Sequence, residues 1–178
     1  LALAVDSTEM VTLPFEFPFY GTLVSTAYVT SDGYITFESG QVRSRNDHMP
    51  GSKAPNNLIA AYWDALEPTT PGSFDVWTYA PRDNTFFAVE WEEGLRDSSS
   101  SASNVVQFQA ILFPTGGVVL QYLSIADSGA GATVGAENAD GTLGVEVSYN
   151  QDDVLSSAQA IALCADTMTG RTPPPPAP

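Results

Sequence analysis

The chain has 178 residues, of which 43% are hydrophobic, and this length and composition suit one domain with a buried core. It carries 21 acidic residues against six lysines and arginines, for a net charge of −15. Because binding to nucleic acid or anionic lipid needs cations that contact phosphates, this balance argues against both partners. No apolar run approaches the roughly 20 residues that span a bilayer, so we expect no direct membrane insertion.

The opening residues, LALAVDS, lack the basic start and the length of a signal peptide, and the chain does not begin with Met. We therefore expect a mature or excised piece of a longer protein. Cys164 is the single cysteine, so it is either an idle thiol or a partner in an intermolecular disulfide. The sequence contains no Asn-x-Ser/Thr site for N-glycosylation.

The first structural signal is LPFEFPFYG, residues 13–21. It places three phenylalanines, Phe15, Phe17 and Phe19, at alternate positions, with two prolines and a glutamate between them. A period of two indicates a strand, but proline cannot donate a hydrogen bond to a neighbouring strand. The segment therefore predicts an edge strand that turns its phenylalanines inward and its prolines outward.

Three hairpins follow from turn residues between alternating runs. Asp32-Gly33 separates residues 25–30 from 34–39, and such a pair is typical of a type I′ turn. Pro114-Thr115-Gly116 and Asp140-Gly141 separate two further pairs of runs. Besides the opening segment, the predicted strands cover residues 25–30, 34–39, 58–63, 74–79, 86–91, 104–113, 117–123, 132–138, 143–149 and 159–164.

These ten to eleven strands, joined mostly by short hairpins and without a helical period, predict an all-β fold. We expect a two-sheet antiparallel β-sandwich of jelly-roll or immunoglobulin-like type, with hairpin connections and long loops. One long loop, residues 40–57, holds three of the six cationic side chains. The other, residues 97–103, reads DSSSSAS and is polar enough that we expect it to be mobile.

The chain ends in TGRTPPPPAP, with five prolines in its last six residues. Such a run forms extended polyproline II and acts as a stiff spacer. We therefore predict a sandwich domain over residues 1–165 and a Pro-rich linker or the start of a stalk over 166–178. Thr169 and Thr172 are candidate O-glycosylation sites in that tail.

Catalytic groups are few. His48 is the only histidine, so a Ser-His-Asp triad would have to use it, and no Gly-x-Ser-x-Gly elbow is present. Glu90 and Glu92 share one face of a strand, a spacing that suits a pair of glycosidase carboxylates. Because Val89 and Trp91 on the opposite face suit the core better, we expect both glutamates to lie in water and the chain to have no enzymatic activity.

Calcium is the one cofactor for which the sequence offers candidate ligands, although no Asp-x-Asp-x-Asp-Gly loop is present. Asp64 and Glu67, or Glu137, Asn138 and Asp140, could supply oxygen atoms. Both stretches are also typical of turns, in which Asp, Asn and Gly are favoured for local hydrogen bonding. The two interpretations stay open at this point.

Aromatic residues provide the candidate ligand-binding platform. Trp77 and Tyr79 share one face of a predicted strand, with Val76 and Thr78 on the other. Either the aromatic face packs into the core, or it is exposed and stacks on the C–H faces of sugars. In a separate strand, Gln107 and Gln109 lie opposite the apolar positions of residues 104–113.

The phrases LPFEFPFYG, AYVTSDGYITF, NNLIAAYWDAL, FQAILFPTGGVVLQY and ATVGAENADGTLG, in this order, resemble the nidogen-type (NIDO-like) extracellular domain. They are closer still to related β-sandwich modules of secreted microbial proteases and surface proteins. The similarity spans roughly residues 11–163, with Ala61-Tyr62 in place of the usual Pro-Phe. The resemblance implies an extracellular β-sandwich in an adhesive, matrix or cell-surface protein, and it carries no catalytic residue.

Together, these patterns predict a non-catalytic structural or adhesion module of a larger secreted or cell-surface protein. Its expected partners are other extracellular proteins, matrix components or copies of itself. The alternative is a carbohydrate-binding, lectin-like module, with or without calcium, that accompanies a secreted hydrolase. A glycosidase that uses Glu90 and Glu92 is a third hypothesis.

Overall fold

The computed structural model describes residues 1–68, 74–95, 105–125 and 128–165. Within these ranges, thirteen strands form two antiparallel sheets around one core, which confirms the predicted β-sandwich. No helix in the described ranges is long and apolar enough to cross a membrane.

The first sheet contains β1 (Ala2–Leu3), β6 (Glu67–Pro68), β7 (Phe74–Tyr79), β8 (Phe87–Leu95), β9 (Val105–Leu112), β10 (Val118–Ser124) and β13 (Gln159–Leu163). Its order is β1-β7-β8-β9-β10-β13, with β6 paired to β8. The second sheet contains β2 (Thr8–Phe19), β3 (Thr22–Thr30), β4 (Tyr34–Thr36), β5 (Leu58–Trp63), β11 (Thr133–Glu137) and β12 (Gly144–Tyr149). Its order is β12-β11-β5-β4-β3-β2.

The core between the sheets is built from alternate residues of each strand. In β9, Val106, Phe108, Ala110 and Leu112 are buried while the residues between them are partly exposed. Trp91 of β8 stacks on Phe108 with ring centroids 5.1 Å apart. Its indole nitrogen donates a 2.7 Å hydrogen bond to the Thr30 carbonyl of the second sheet. The largest core side chain thus fixes one sheet against the other.

The opening segment forms the second half of β2, at the edge of the second sheet, as predicted. Phe17 and Phe19 are buried, and Phe15 packs against the same core while partly exposed. The register between β2 and β3 shifts between Thr12 and Phe17, which is where the first proline interrupts the pairing. Burial of each phenylalanine contributes roughly 1.5–3 kcal/mol.

The turn between β3 and β4 differs from the prediction. A type I′ turn needs positive φ at both central residues, but only Gly33 adopts it, with φ of 76°. The turn is also buried, and Ser31, Asp32 and Gly33 lie under β5 rather than in solvent. A side chain at Gly33 would collide with the carbonyl oxygen of Tyr62, so the packing requires glycine there.

Each predicted strand corresponds to an observed one, and within the described residues the sequence patterns missed only the two-residue strands β1 and β6. The loop DSSSSAS lies outside the described residues. So does the Pro-rich tail, with Thr169 and Thr172, and the boundary near residue 166 stays a prediction.

Candidate functional site

The outer face of the first sheet, called here the open face, carries the exposed aromatic residues of β7. Trp77 and Tyr79 are 55% and 59% exposed, whereas Val76 between the sheets is buried. The interpretation of the aromatic pair as core is therefore wrong, and the exposed platform is the arrangement found. Tyr79 also contacts Phe86, with ring centroids 5.9 Å apart, which extends the aromatic surface toward β8.

Glu90 and Glu92 lie on the open face, and Val89 and Trp91 are fully buried, as predicted. Each glutamate accepts a side-chain hydrogen bond. The amide of Gln107 donates to Glu90 at 3.1 Å. The indole N–H of Trp77 donates to Glu92 at 3.0 Å. The carboxylates thus hold their neighbours in place on the surface.

Two further glutamines complete the polar part of the open face. The amide nitrogen of Gln109 on β9 donates to the amide oxygen of Gln121 on β10. Both side chains are partly exposed, as is Gln107. The alternation in β9 predicted that its glutamines point outward, but an amide that faces water does not by itself indicate a function.

The outer face of the second sheet is covered over its middle strands. The covering loop, residues 40–57, forms a small second core with β4 and β5 and makes polar contacts with β11. Met49 of the loop is 4% exposed, and it packs with four buried residues of the sheet: Tyr34, Leu58, Ala60 and Trp63. Because the strand LIAAYW is covered on both faces, all six of its residues are buried.

Polar contacts fasten the covering loop at several points. The indole N–H of Trp63 donates to the Arg43 carbonyl at 2.7 Å. The hydroxyl of Thr133 donates to the Asp47 carbonyl at 2.9 Å. The backbone N–H of Gly51 donates to a carboxylate oxygen of Glu137 at 2.8 Å. The loop therefore belongs to the packed structure.

Charged residues of the covering loop pair with one another and with β12. The Asp47 carboxylate accepts hydrogen bonds from Lys53 at 3.0 Å and from Arg43 at 3.2 Å. The hydrogen bond from Lys53 is the main reason that the pKa of Asp47 is lowered to about 2. His48 lies 3.0 Å from a carboxylate oxygen of Glu146. Its ring is 64% exposed at the side chain, as expected for a loop histidine, and no described contact joins it to a serine.

The five calcium candidates are not brought together. Among the described residues, no three histidine, cysteine or carboxylate side chains lie close enough to hold a metal ion. Asn138 and Asp140 accept bonds from the backbone of Thr142, as turn residues do. Asp64 accepts one from the backbone of Ala65, and Glu67 lies on β6.

The fifth candidate, Glu137, is 2% exposed and sits under the covering loop. Burial raises its pKa to about 7, the Asp47 charge adds to the rise, and the Gly51 N–H opposes it. Its described bond to Gly51 gives it a structural role. Calcium binding at any of the five residues stays a prediction.

Asp32 is a buried carboxyl group that no sequence pattern predicted. It is fully buried in the turn after β3. Burial is the main cause that raises its pKa to about 7, followed by the charge of Asp6, while the nearby N–H of Leu66 opposes the rise. The Asp-Gly pair indicated a turn, and a turn is normally exposed, so no sequence signal marked this burial.

Cys164 follows β13 and is exposed, so the fold leaves it accessible for the intermolecular disulfide considered above. Such a bond stays a prediction.

The sandwich therefore has one outer face partly covered by a packed loop and one outer face that exposes aromatic and amide side chains. A model of the NIDO-related family matches residues 2–172, and the chain belongs to this family. Domains of the family are typically extracellular, and the family is a non-enzymatic type of module. No curated protein and no solved structure matches the chain. The likeness to modules of microbial proteases stays an expectation.

Proposed function

We propose that the chain is a non-catalytic adhesion module of a larger secreted or cell-surface protein, and that it contacts its partners through the open face. The observation that carries this proposal is the contrast between the two outer faces. On one, the covering loop buries the outward side chains of β4 and β5, and the other leaves Trp77 and Tyr79 more than half exposed. Large exposed aromatic side chains are enriched at binding surfaces, because they bury much area at little entropic cost.

The chemistry of the open face supports a role in binding. Glu90 and Glu92 are each engaged by a neighbouring side chain, Gln107 and Trp77 respectively. A retaining or inverting glycosidase needs one carboxyl group to donate a proton and the other to attack or activate water. Glu90→Gln is therefore expected to leave the fold unchanged.

The proposal is tested by binding of the labelled chain to the secreted and surface material of the cells that make it. A variant with both Trp77→Ala and Tyr79→Ala removes the aromatic platform. Leu23→Ala is the matched control, because Leu23 is 60% exposed but lies on β3 of the second sheet. Circular dichroism verifies that all three proteins are folded.

We expect the parent and the Leu23→Ala variant to bind, and the double variant to lose most of the binding. Equal binding by all three proteins would place the contact surface elsewhere and overturn the proposal. Absence of binding by the parent protein would overturn the adhesion role itself. Light scattering with and without reductant tests whether copies of the chain join through Cys164.

A further inference from the structure

The strand register places two parallel rows of residues on the open face. Trp77 is opposite Glu90, which is opposite Gln109, then Gln121, then Ala160. This polar row crosses β7, β8, β9, β10 and β13. Strands lie about 4.8 Å apart, so the row is about 19 Å long.

The second row runs beside the first, two residues along each strand. It consists of apolar residues only, each opposite the next: Tyr79, Ala88, Ile111, Val119 and Ala162. A line of hydrogen-bonding groups therefore lies next to a line of apolar surface. A ligand that fits both must itself have polar edges and apolar faces.

Two adjoining depressions follow these rows. One, of about 280 Å³, is lined by residues that include Trp77, Tyr79, Phe86 and Ala88. The other, of about 350 Å³, is lined by residues that include Gln107, Gln121 and Ala158. Glu90 and Gln109 line both, so the depressions meet at the centre of the polar row. Together they form an elongated site suited to a chain-like ligand.

The charge on this site favours an uncharged ligand. The described residues that line the two depressions include the carboxylate of Glu90 and no lysine or arginine. An acidic ligand would meet like charge and no cation. A protein partner would have to bury Glu90 at the centre of the contact, whereas the cores of protein interfaces are depleted of charged residues.

Resting on the proposed function of the open face, we propose that its ligand is an uncharged oligosaccharide or polysaccharide chain that lies along the two rows. Sugar hydroxyls both donate and accept hydrogen bonds. Amides can match both roles, and the carboxylate of Glu90 accepts. The C–H faces of the sugar rings pack on Trp77 and Tyr79, whose ring faces carry partial negative charge. The mutual bonds of Gln109 with Gln121 and of Gln107 with Glu90 hold the polar row in place before the ligand arrives.

Isothermal titration of the purified chain with soluble oligosaccharides tests this inference. The probes are uncharged β-1,4-linked oligomers of glucose, xylose and mannose, with galacturonic acid oligomers as the acidic comparison. Trp77→Ala and Gln109→Ala each remove one type of contact, and Leu23→Ala is the control on the second sheet.

We expect at least one uncharged oligomer to bind and the acidic oligomer to bind at least tenfold more weakly. Trp77→Ala and Gln109→Ala are each expected to weaken binding by about tenfold, which corresponds to about 1.4 kcal/mol. The Leu23→Ala variant should bind as the parent does. The inference would be overturned if no uncharged oligomer bound or if the acidic oligomer bound more tightly. It would also be overturned if neither Trp77→Ala nor Gln109→Ala weakened binding.

The two proposals fail in different ways. Binding to cell-surface material that is destroyed by protease, yet still depends on Trp77 and Tyr79, would reject a glycan ligand while supporting adhesion through the open face. Binding that resists protease but is abolished by polysaccharide hydrolases would support both.

Discussion

Each outer face of the sandwich carries a tryptophan, and the two side chains differ in how much of their surface is exposed. Trp63, on the second sheet, is 1% exposed beneath the covering loop and donates to a carbonyl of that loop. Trp77, on the first sheet, is 55% exposed and donates to a surface carboxylate. The two side chains differ in whether the covering loop lies across the outer face of their strand.

The largest effect expected from this difference comes from substituting the two tryptophans. Trp63→Ala removes a fully packed side chain and should lower the free energy of unfolding by about 3–5 kcal/mol. Trp77→Ala should change it by less than about 1 kcal/mol, because much of that ring is already in water. Urea denaturation followed by circular dichroism measures both. Similar losses in the two variants would mean that the faces are packed alike.

The core between the faces supplies the next prediction. The pKa of Asp32 is raised from 3.8 to about 7, chiefly by burial, so the folded state holds a proton more tightly than the unfolded state. The contribution of the Asp32 carboxyl group to the free energy of unfolding is fully present below about pH 4 and is lost as the pH rises through about 7.

Asp32→Asn should therefore match the parent near pH 4 and exceed its free energy of unfolding by up to about 4 kcal/mol near pH 8. Denaturation across this pH range provides the measurement. A variant that is less stable than the parent at pH 8 would show that the ionised carboxylate is satisfied in the folded protein.

A buried carboxyl group under the covering loop and a partly exposed one on the open face supply a further comparison. Burial raises the pKa of Glu137 from 4.5 to about 7, so its stabilising effect is full below about pH 4.5 and is lost as the pH rises through about 7. Glu137→Gln keeps an oxygen for the Gly51 N–H and should add about 2–3 kcal/mol near pH 8. The matched variant Glu90→Gln, on the open face, should stay within about 0.5 kcal/mol. A gain in the free energy of unfolding that is larger for Glu90→Gln than for Glu137→Gln would contradict this expectation.

The smallest expected effect concerns the charges of the covering loop. The pKa of Asp47 is lowered to about 2, chiefly by the bond from Lys53, so its stabilising effect is present above about pH 4 and is lost as the pH falls through about 2. Asp47→Asn should lower the free energy of unfolding at neutral pH by about 0.5–1 kcal/mol. Salt at about 1 M should shrink this loss, because the pair is partly exposed. Asp75→Asn, at an exposed position of the open face, should show no such loss. If the effect of Asp47→Asn did not depend on salt, it would come from packing rather than from charge.

The strands could be predicted because period-two alternation, Asp-Gly and Pro-Thr-Gly turns are local signals. The phenylalanines of β2 and the inward direction of Trp91 followed from the same alternation. Alternation cannot decide which face of a strand points inward when both faces carry apolar or aromatic residues. Trp77 and Tyr79 share a face by spacing, but their exposure depends on what lies across the sheet.

The sequence does contain one signal of the covered face. LIAAYW in β5 is apolar at every position, and such strands are buried on both faces. The cover itself was hidden, because residues 40–57 are mostly polar and Met49 is their one large buried apolar anchor. The burial of Asp32 depends on how β5 crosses the β3–β4 turn, which is a long-range contact without a local pattern.

The chain has three tryptophans, and their indole signals in a heteronuclear NMR spectrum test the central claim most directly. Trp63 and Trp91 donate to backbone carbonyls inside the structure, and Trp77 lies on the open face. On titration with uncharged β-1,4-linked oligosaccharides, the account predicts that the Trp77 indole signal moves while those of Trp63 and Trp91 stay in place. A spectrum in which the Trp77 signal does not respond, or in which Trp63 beneath the covering loop responds instead, would contradict it.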